Sequence, residues 1–197
     1  MDTIQMATKE AESWRVAQMV AEIINIGGED QPVGGDQTSQ GTEVGMWKCQ
    51  VDASWIEDQG DTGLGFVLLD DERTILFGFK GNISSASPLH AEAEDIIWAM
   101  QEILKSGRRE IQILSDCEQL VKIILTDMEW PALAPELDEI KALSFDFSSF
   151  SISAIPRSQN ARADRLAKGG RLRKLNPSVS AFAPIWLPPE TSLTAAE

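Results

Sequence analysis

The nine residues Trp47-Lys48-Cys49-Gln50-Val51-Asp52-Ala53-Ser54-Trp55 alternate apolar side chains with polar ones. A period of two marks a strand with one face against a core, so this segment is predicted to be half-buried and to carry Asp52 on its polar face. Two further runs of strand length, residues 62–69 and 74–79, are separated by Asp70-Asp71-Glu72-Arg73, whose aspartates suit a tight reversal. Three consecutive strands with short connections predict an antiparallel meander.

Beyond the meander the period changes. Ser87-Pro88 supplies an N-cap and a first-turn proline, and Leu89, Ala93, Ile96, Ile97, Met100 and Leu104 trace one helical stripe as far as Lys105, with Gly107 as the stop. Residues 110–115 read as a fourth strand, 118–125 and 133–143 as helices on either side of Trp130-Pro131, and 150–155 as a fifth strand. The last helix is predicted over residues 161–173, with Asn160 as its N-cap. Strands alternating with helices require parallel crossovers. The predicted class is therefore α/β, a five-stranded mixed sheet of three antiparallel strands and two parallel crossovers flanked by helices, over residues 46–174.

On either side of this unit the pattern is weaker. Residues 1–24 carry a stripe of Ile4, Ala7, Ala11, Trp14, Ala17, Ala21 and Ile24, read as an N-terminal helical arm. Residues 25–45, rich in Gly, Asp, Gln, Ser and Thr, are expected to be a flexible linker. Residues 175–197 are interrupted by Pro177, Pro184, Pro188 and Pro189 and are expected to be a disordered tail.

Of 197 residues, 17 are Lys or Arg and 31 are Asp or Glu, a formal charge of −14 that excludes a uniformly basic nucleic-acid coat. The charge is uneven. Residues 1–46 hold two cations against eight acids, whereas between Arg157 and Lys174 seven cations (Arg157, Arg162, Arg165, Lys168, Arg171, Arg173, Lys174) face Asp164 alone. Two cysteines, Cys49 and Cys117, make no disulfide framework. No apolar run approaches the ~20 residues that span a bilayer, and the start of the chain is unlike an import presequence. A soluble monomer of the cytoplasm or nucleus, without a membrane partner, is the expectation.

Four acids hold special places in the predicted order: Asp52 on the first strand, Glu92 near the start of the first helix of the compact unit, Asp116 closing the fourth strand, and Asp164 near the start of the last helix. The carboxyl end of a parallel strand faces an open crevice, which is where Asp116 projects. Glu92 lies one position off the apolar stripe and can look across the sheet edge toward Asp52. Its neighbours Glu94 and Asp95 are turned away from the apolar side and are expected to be exposed. Carboxylates gathered without basic partners repel one another unless a hard divalent cation neutralises them, and oxygen-only ligands favour Mg²⁺ or Mn²⁺ over zinc. Two such ions roughly 4 Å apart activate water and hold a phosphodiester for in-line displacement.

The chain resembles the ribonuclease H family, in particular the plant ribonuclease H-like domains related to the C-terminal domain of non-LTR retrotransposon polyproteins. The resemblance rests on Cys49-Gln50-Val51-Asp52-Ala53-Ser54-Trp55, Gly63-Leu64-Gly65-Phe66-Val67, Ser87-Pro88-Leu89-His90-Ala91-Glu92-Ala93, Leu114-Ser115-Asp116-Cys117, and the run from Ile155-Pro156-Arg157 through Asn160-Ala161-Arg162-Ala163-Asp164-Arg165-Leu166-Ala167. It implies that Asp52, Glu92, Asp116 and Asp164 are the catalytic, metal-binding acids, that the cofactor is two Mg²⁺ or Mn²⁺ ions, and that the substrate is the RNA strand of an RNA/DNA hybrid. Arg157, Asn160, Arg162, Arg165 and Lys168 are then candidate nucleic-acid contacts. The sequence departs from the cellular enzymes in two respects. Its only histidine is His90, so none lies between the third and fourth acids, and residues 127–139 are acidic where many relatives carry a basic protrusion.

A reading from another class stays open. A domesticated retroelement module would keep the fold and bind nucleic acid, or a protein through the N-terminal helix, without turnover. A polymerase is not expected, because the chain has no Tyr for a Tyr-x-Asp-Asp motif.

Overall fold

A computed structural model describes residues 46–57 and 61–189. The helical arm and linker expected over residues 1–45 lie outside the described residues, as do 190–197. The meander forms as predicted: β1 (Trp47–Trp55), β2 (Asp61–Asp70) and β3 (Arg73–Ser84). There follow α1 (Pro88–Lys105), β4 (Glu110–Ser115), α2 (Glu118–Thr126), α3 (Ala134–Ser144), β5 (Ser149–Ala154), α4 (Ala161–Arg173) and β6 (Ser178–Ser180). Short 3₁₀ turns, Pro131–Leu133 and Arg157–Gln159, precede α3 and α4.

The sheet order is β5-β4-β1-β2-β3-β6. β1 pairs antiparallel with β2 and parallel with β4, and β4 pairs parallel with β5. The α/β class and the two parallel crossovers match the prediction, but the described sheet has six strands rather than five.

The sixth strand comes from the stretch expected to be a disordered tail. Prolines do exclude a long element there, yet Ser178–Ser180 still pairs antiparallel with Phe77–Phe79 of β3. Trp186 then stacks edge-on against Phe79 at 5.3 Å, and Leu187 is buried with Val67, Leu69, Phe77 and Leu166. Residues 175–189 are thus a strap across β3 and α4.

β2 is buried along nearly its whole length because both faces are covered. Phe66 meets Trp98 of α1 edge-on at 5.1 Å, whereas a Cβ on the adjacent Gly65 would overlap the backbone of Ala167 in α4. Successive side chains leave a strand on opposite faces, so α1 and α4 lie on opposite sides of the sheet. A second near-backbone contact joins β3 to α4, where a Cβ on Gly81 would overlap the carbonyl of Gly170. Ser87 caps α1 as predicted, accepting the His90 N–H, and Pro88 is its first residue. Trp98 is core as expected. Trp47 and Trp55, also expected in the core, are half-buried: Arg108 lies over the Trp47 ring, and Trp55 Nε1 donates to the Ser85 carbonyl at 3.0 Å.

Candidate active site

Asp52 stands opposite Gly65, one residue beyond the last β1–β4 pair, Val51 with Ser115. Cross-strand partners share a face, so Asp52 projects to the side of α4, where it is buried at 2% exposure. The sequence had placed it on a polar face. That alternation holds, but the face is covered by α4 rather than by water.

Asp116 follows immediately on β4, at the open carboxyl end of that strand. Glu92 sits near the start of α1 and accepts a hydrogen bond from the backbone of Ala53, while Asp164 lies in the first turn of α4. Four acids far apart in the chain are thereby brought to one end of the sheet.

Their charges act on one another. Burial pushes the Asp52 carboxyl up to about 10, helped by the charges of Glu92, Asp116 and Asp164 and by a carboxyl–carboxylate hydrogen bond to Asp116. Burial likewise raises Glu92 to about 8, with Asp116 and Asp164 adding to the rise, against the lowering effects of the Ala53 amide and Arg157. Asp52 Oδ2 and Glu92 Oε2 are buried without a hydrogen-bond partner. Such oxygens are costly to leave unmet.

Two cations approach the outer members of the group. Arg157, an exposed side chain, reaches Asp116 at 3.9 Å and Asp164 at 3.7 Å. Lys168 pairs more closely with Asp164, at 2.7 Å and 2.9 Å. The sequence predicted acids without basic partners, and for Asp116 and Asp164 that is corrected. Exposed pairs of this kind contribute only about 0–1 kcal/mol each, so a divalent ion or a phosphate can displace them. No ion pair to Asp52 or Glu92 occurs among the described residues.

Among the other candidates, Asn160 is the clearest correction. It stands at the N-cap position of α4 as predicted, but its fully buried side chain makes no capping hydrogen bond and is no surface contact: Nδ2 donates to the Val51 carbonyl at 2.8 Å and to Asp116 Oδ1 at 2.9 Å. Arg162 is half-buried with its guanidinium over the Phe77 ring at 5.1 Å, and Arg165 is partly exposed. Farther along the basic run, Arg171 Nε donates to Ser54 Oγ and Arg173 lies over Trp186. Much of the run's charge is therefore committed within the fold.

Asp95 was expected to be exposed. It has no exposure at all, and its Oδ2 accepts the Asp52 N–H at 2.9 Å. Hydrophobic phase gave no sign of this, because a carboxylate that points inward toward a strand amide looks in sequence like any polar residue off the stripe.

No three Asp, Glu, His or Cys side chains among the described residues already stand as a metal centre. The donors nevertheless fit a hard cation. They are all oxygens, two of them are buried and unmet, and the charges of Asp116 and Asp164 add to the raised proton affinity of Asp52 and Glu92.

The family described as reverse transcriptase-like, whose domains have the ribonuclease H-like fold, matches residues 50–170. This chain belongs to the ribonuclease H-like family. Among solved structures, ribonuclease H1 from the halophilic archaeon Halobacterium salinarum NRC-1 is 25% identical with a TM-score of 0.60, the match covering 64% of this chain and 97% of that one. LC11-RNase H1 in complex with an RNA/DNA hybrid is 21% identical, TM-score 0.59, covering 64% and 97%. The N-terminal ribonuclease H domain of rv2228c from Mycobacterium tuberculosis is 22% identical, TM-score 0.59, covering 65% and 94%. The last two bear on the fold alone. No curated protein matches the chain. No helix among the described residues of this ribonuclease H-like chain is long and apolar enough to cross a membrane.

Proposed function

We propose that the chain is a ribonuclease H-type endoribonuclease that hydrolyses the RNA strand of RNA/DNA hybrids, using Asp52, Glu92, Asp116 and Asp164 to hold two divalent cations, Mg²⁺ or Mn²⁺. On its motifs it is a plant-type, retrotransposon-derived domain. The observation that carries the proposal is the buried Asp52 beside Asp116 and the half-buried Glu92, with one buried oxygen each of Asp52 and Glu92 lacking any partner. When bound, the cations supply neutralising charge and Lewis-acid activation for attack of water on a phosphodiester.

The side chains of the chain do the rest. Asp52 and Glu92 offer buried oxygens whose charged form is disfavoured until positive charge arrives. Asp116 is oriented by Asn160, so its remaining lone pairs face the same mouth. Asp164 would complete the set of ligands, its carboxylate being held by Lys168 in the cations' absence. Arg157 stands over Asp116 and Asp164 in the loop where the cellular enzymes carry a histidine, and there it meets the phosphate of the strand. Arg162, Arg165 and Lys168 extend that contact along α4.

The pairing of Asp116 and Asp164 with Arg157 and Lys168, together with the missing histidine, favours a second reading, a module that binds hybrids without turnover. One assay separates the two. Purified chain incubated with a labelled hybrid is expected to cleave the RNA strand with Mg²⁺ or Mn²⁺ and not with chelator, and to lose cleavage in Asp52→Asn and Asp116→Asn. Binding of the hybrid without cleavage under any divalent ion contradicts the nuclease and supports the module.

A further inference from the structure

The peptide group between Val51 and Asp52 is held at both of its polar ends. Its carbonyl accepts Asn160 Nδ2 at 2.8 Å, and its N–H donates to Asp95 Oδ2 at 2.9 Å. The two grips come from different parts of the chain: Asn160 immediately precedes α4, on the Asp52 side of the sheet, and Asp95 belongs to α1, on the other side. A peptide plane fixed in this way fixes the N–Cα bond of Asp52, and the extended backbone of β1 then sets where its Cβ points.

Asp95 has no other evident reason to be a carboxylate. Its helical neighbours Ala91, Ile96, Trp98 and Ala99 are buried and apolar, and a fully buried acid is unfavourable unless its oxygens are met. One of them is met by the Asp52 amide, while Oδ1 has no hydrogen-bond partner. Burial holds the Asp95 carboxyl well above the usual carboxylate range and Glu92 adds to the rise, against the lowering effects of the Asp52 amide, the Lys80 charge and the Gly65 amide. Asp95 lies three residues after Glu92, so a single helix supplies one proposed cation ligand and the group that orients another.

We infer that Asp95 is a positioning residue for the cation site: by accepting the Asp52 N–H it fixes the Val51–Asp52 peptide and so aims the Asp52 carboxylate. This rests on the cation-binding reading of Asp52, Glu92, Asp116 and Asp164. It adds a residue that touches neither cation nor substrate.

The test measures Mn²⁺ affinity by calorimetry, and kcat and KM on a labelled hybrid, for the wild-type chain, Asp95→Asn and Asp95→Leu. Asn keeps an acceptor for the amide, whereas Leu removes it and fills the apolar space. Partners that orient metal ligands are typically worth 10–100-fold, so Asp95→Leu is expected to lose about tenfold or more in Mn²⁺ affinity and in kcat, with KM within about twofold. Asp95→Asn is expected to stay within about threefold of wild type on both. A general packing defect would not be rescued by Asn in this way. If Asp95→Leu does not melt cooperatively, Asp95→Ala replaces it. If neither folds, Asp95→Asn decides: affinity within threefold supports the inference, and a tenfold loss overturns it. Wild-type affinity in a folded Asp95→Leu overturns the positioning role alone. A wild-type chain that binds no Mn²⁺ overturns the cation site and this inference together.

Discussion

Two regions of this molecule are built on opposite terms. Beneath α4 the sheet and helix touch almost backbone to backbone, with Gly65 against Ala167 and Gly81 against Gly170, leaving no room for a methyl group. At the mouth formed by the ends of β1 and β4, buried carboxylates face one another with oxygens unmet. The first region gains stability from dense packing. The second gives stability up, a recurrent mark of sites kept for function. α4 links them, since its first turn carries Asp164 and its middle closes on the glycines.

The sharpest way to break this contrast is Asp52→Asn. It is expected to lower hybrid cleavage by about a thousandfold while raising the melting temperature of the chelated protein by roughly 2–4 °C, because it removes a buried ionisable group. A fall in both would place Asp52 with the packed region. Next in size is Gly65→Ala, whose Cβ must displace the α4 backbone. It should cost about 3 kcal/mol or leave the protein unfolded by chemical denaturation. Leu187→Ala should cost about 2–3 kcal/mol in the same measurement without changing kcat, because Leu187 packs against β2, β3 and α4 and not against any of the four acids.

The pH dependence sharpens the comparison further. Asp52 and Glu92 have folded-state values raised to about 10 and about 8, so above their unfolded values the native state holds protons that the unfolded chain has lost. Stability of the chelated protein should therefore fall as pH rises from about 4 toward 8 and beyond, and Mg²⁺ should flatten that fall. A thermal melt series with and without the ion reads it directly. The smallest effect is expected for Arg157→Ala, which should weaken hybrid binding a few-fold and reduce the slope of log affinity against log salt by about one.

Periodicity and turn chemistry carried most of the fold. The alternation from Trp47 to Trp55 and the stripe from Leu89 to Leu104 depend on local pattern, and α4 was legible to the residue. What escaped depends on contacts that no period records. β6 is three residues long and is held by its partner strand, not by propensity. Asn160 looked like a cap, yet its side chain turns inward to Val51 and Asp116. Asp95 looked solvated, because hydropathy cannot distinguish an acid facing water from one facing a strand amide. The four acids themselves were legible through motif order. The reach of Arg157 to Asp116 and Asp164 was not, since ion pairs across a loop leave no trace in spacing, whereas the pairing of Asp164 with Lys168 follows an i,i+4 spacing that helical phase does carry.

The most direct test is a crystal structure of the chain grown with Mn²⁺, whose anomalous signal locates the ion without reference to activity. Two peaks among the carboxylates of Asp52, Glu92, Asp116 and Asp164, with Lys168 displaced from Asp164, are predicted. An ordered mouth without manganese, in which Lys168 still holds Asp164 and the oxygens of Asp52 and Glu92 remain unmet, would contradict the cation site and with it the nuclease.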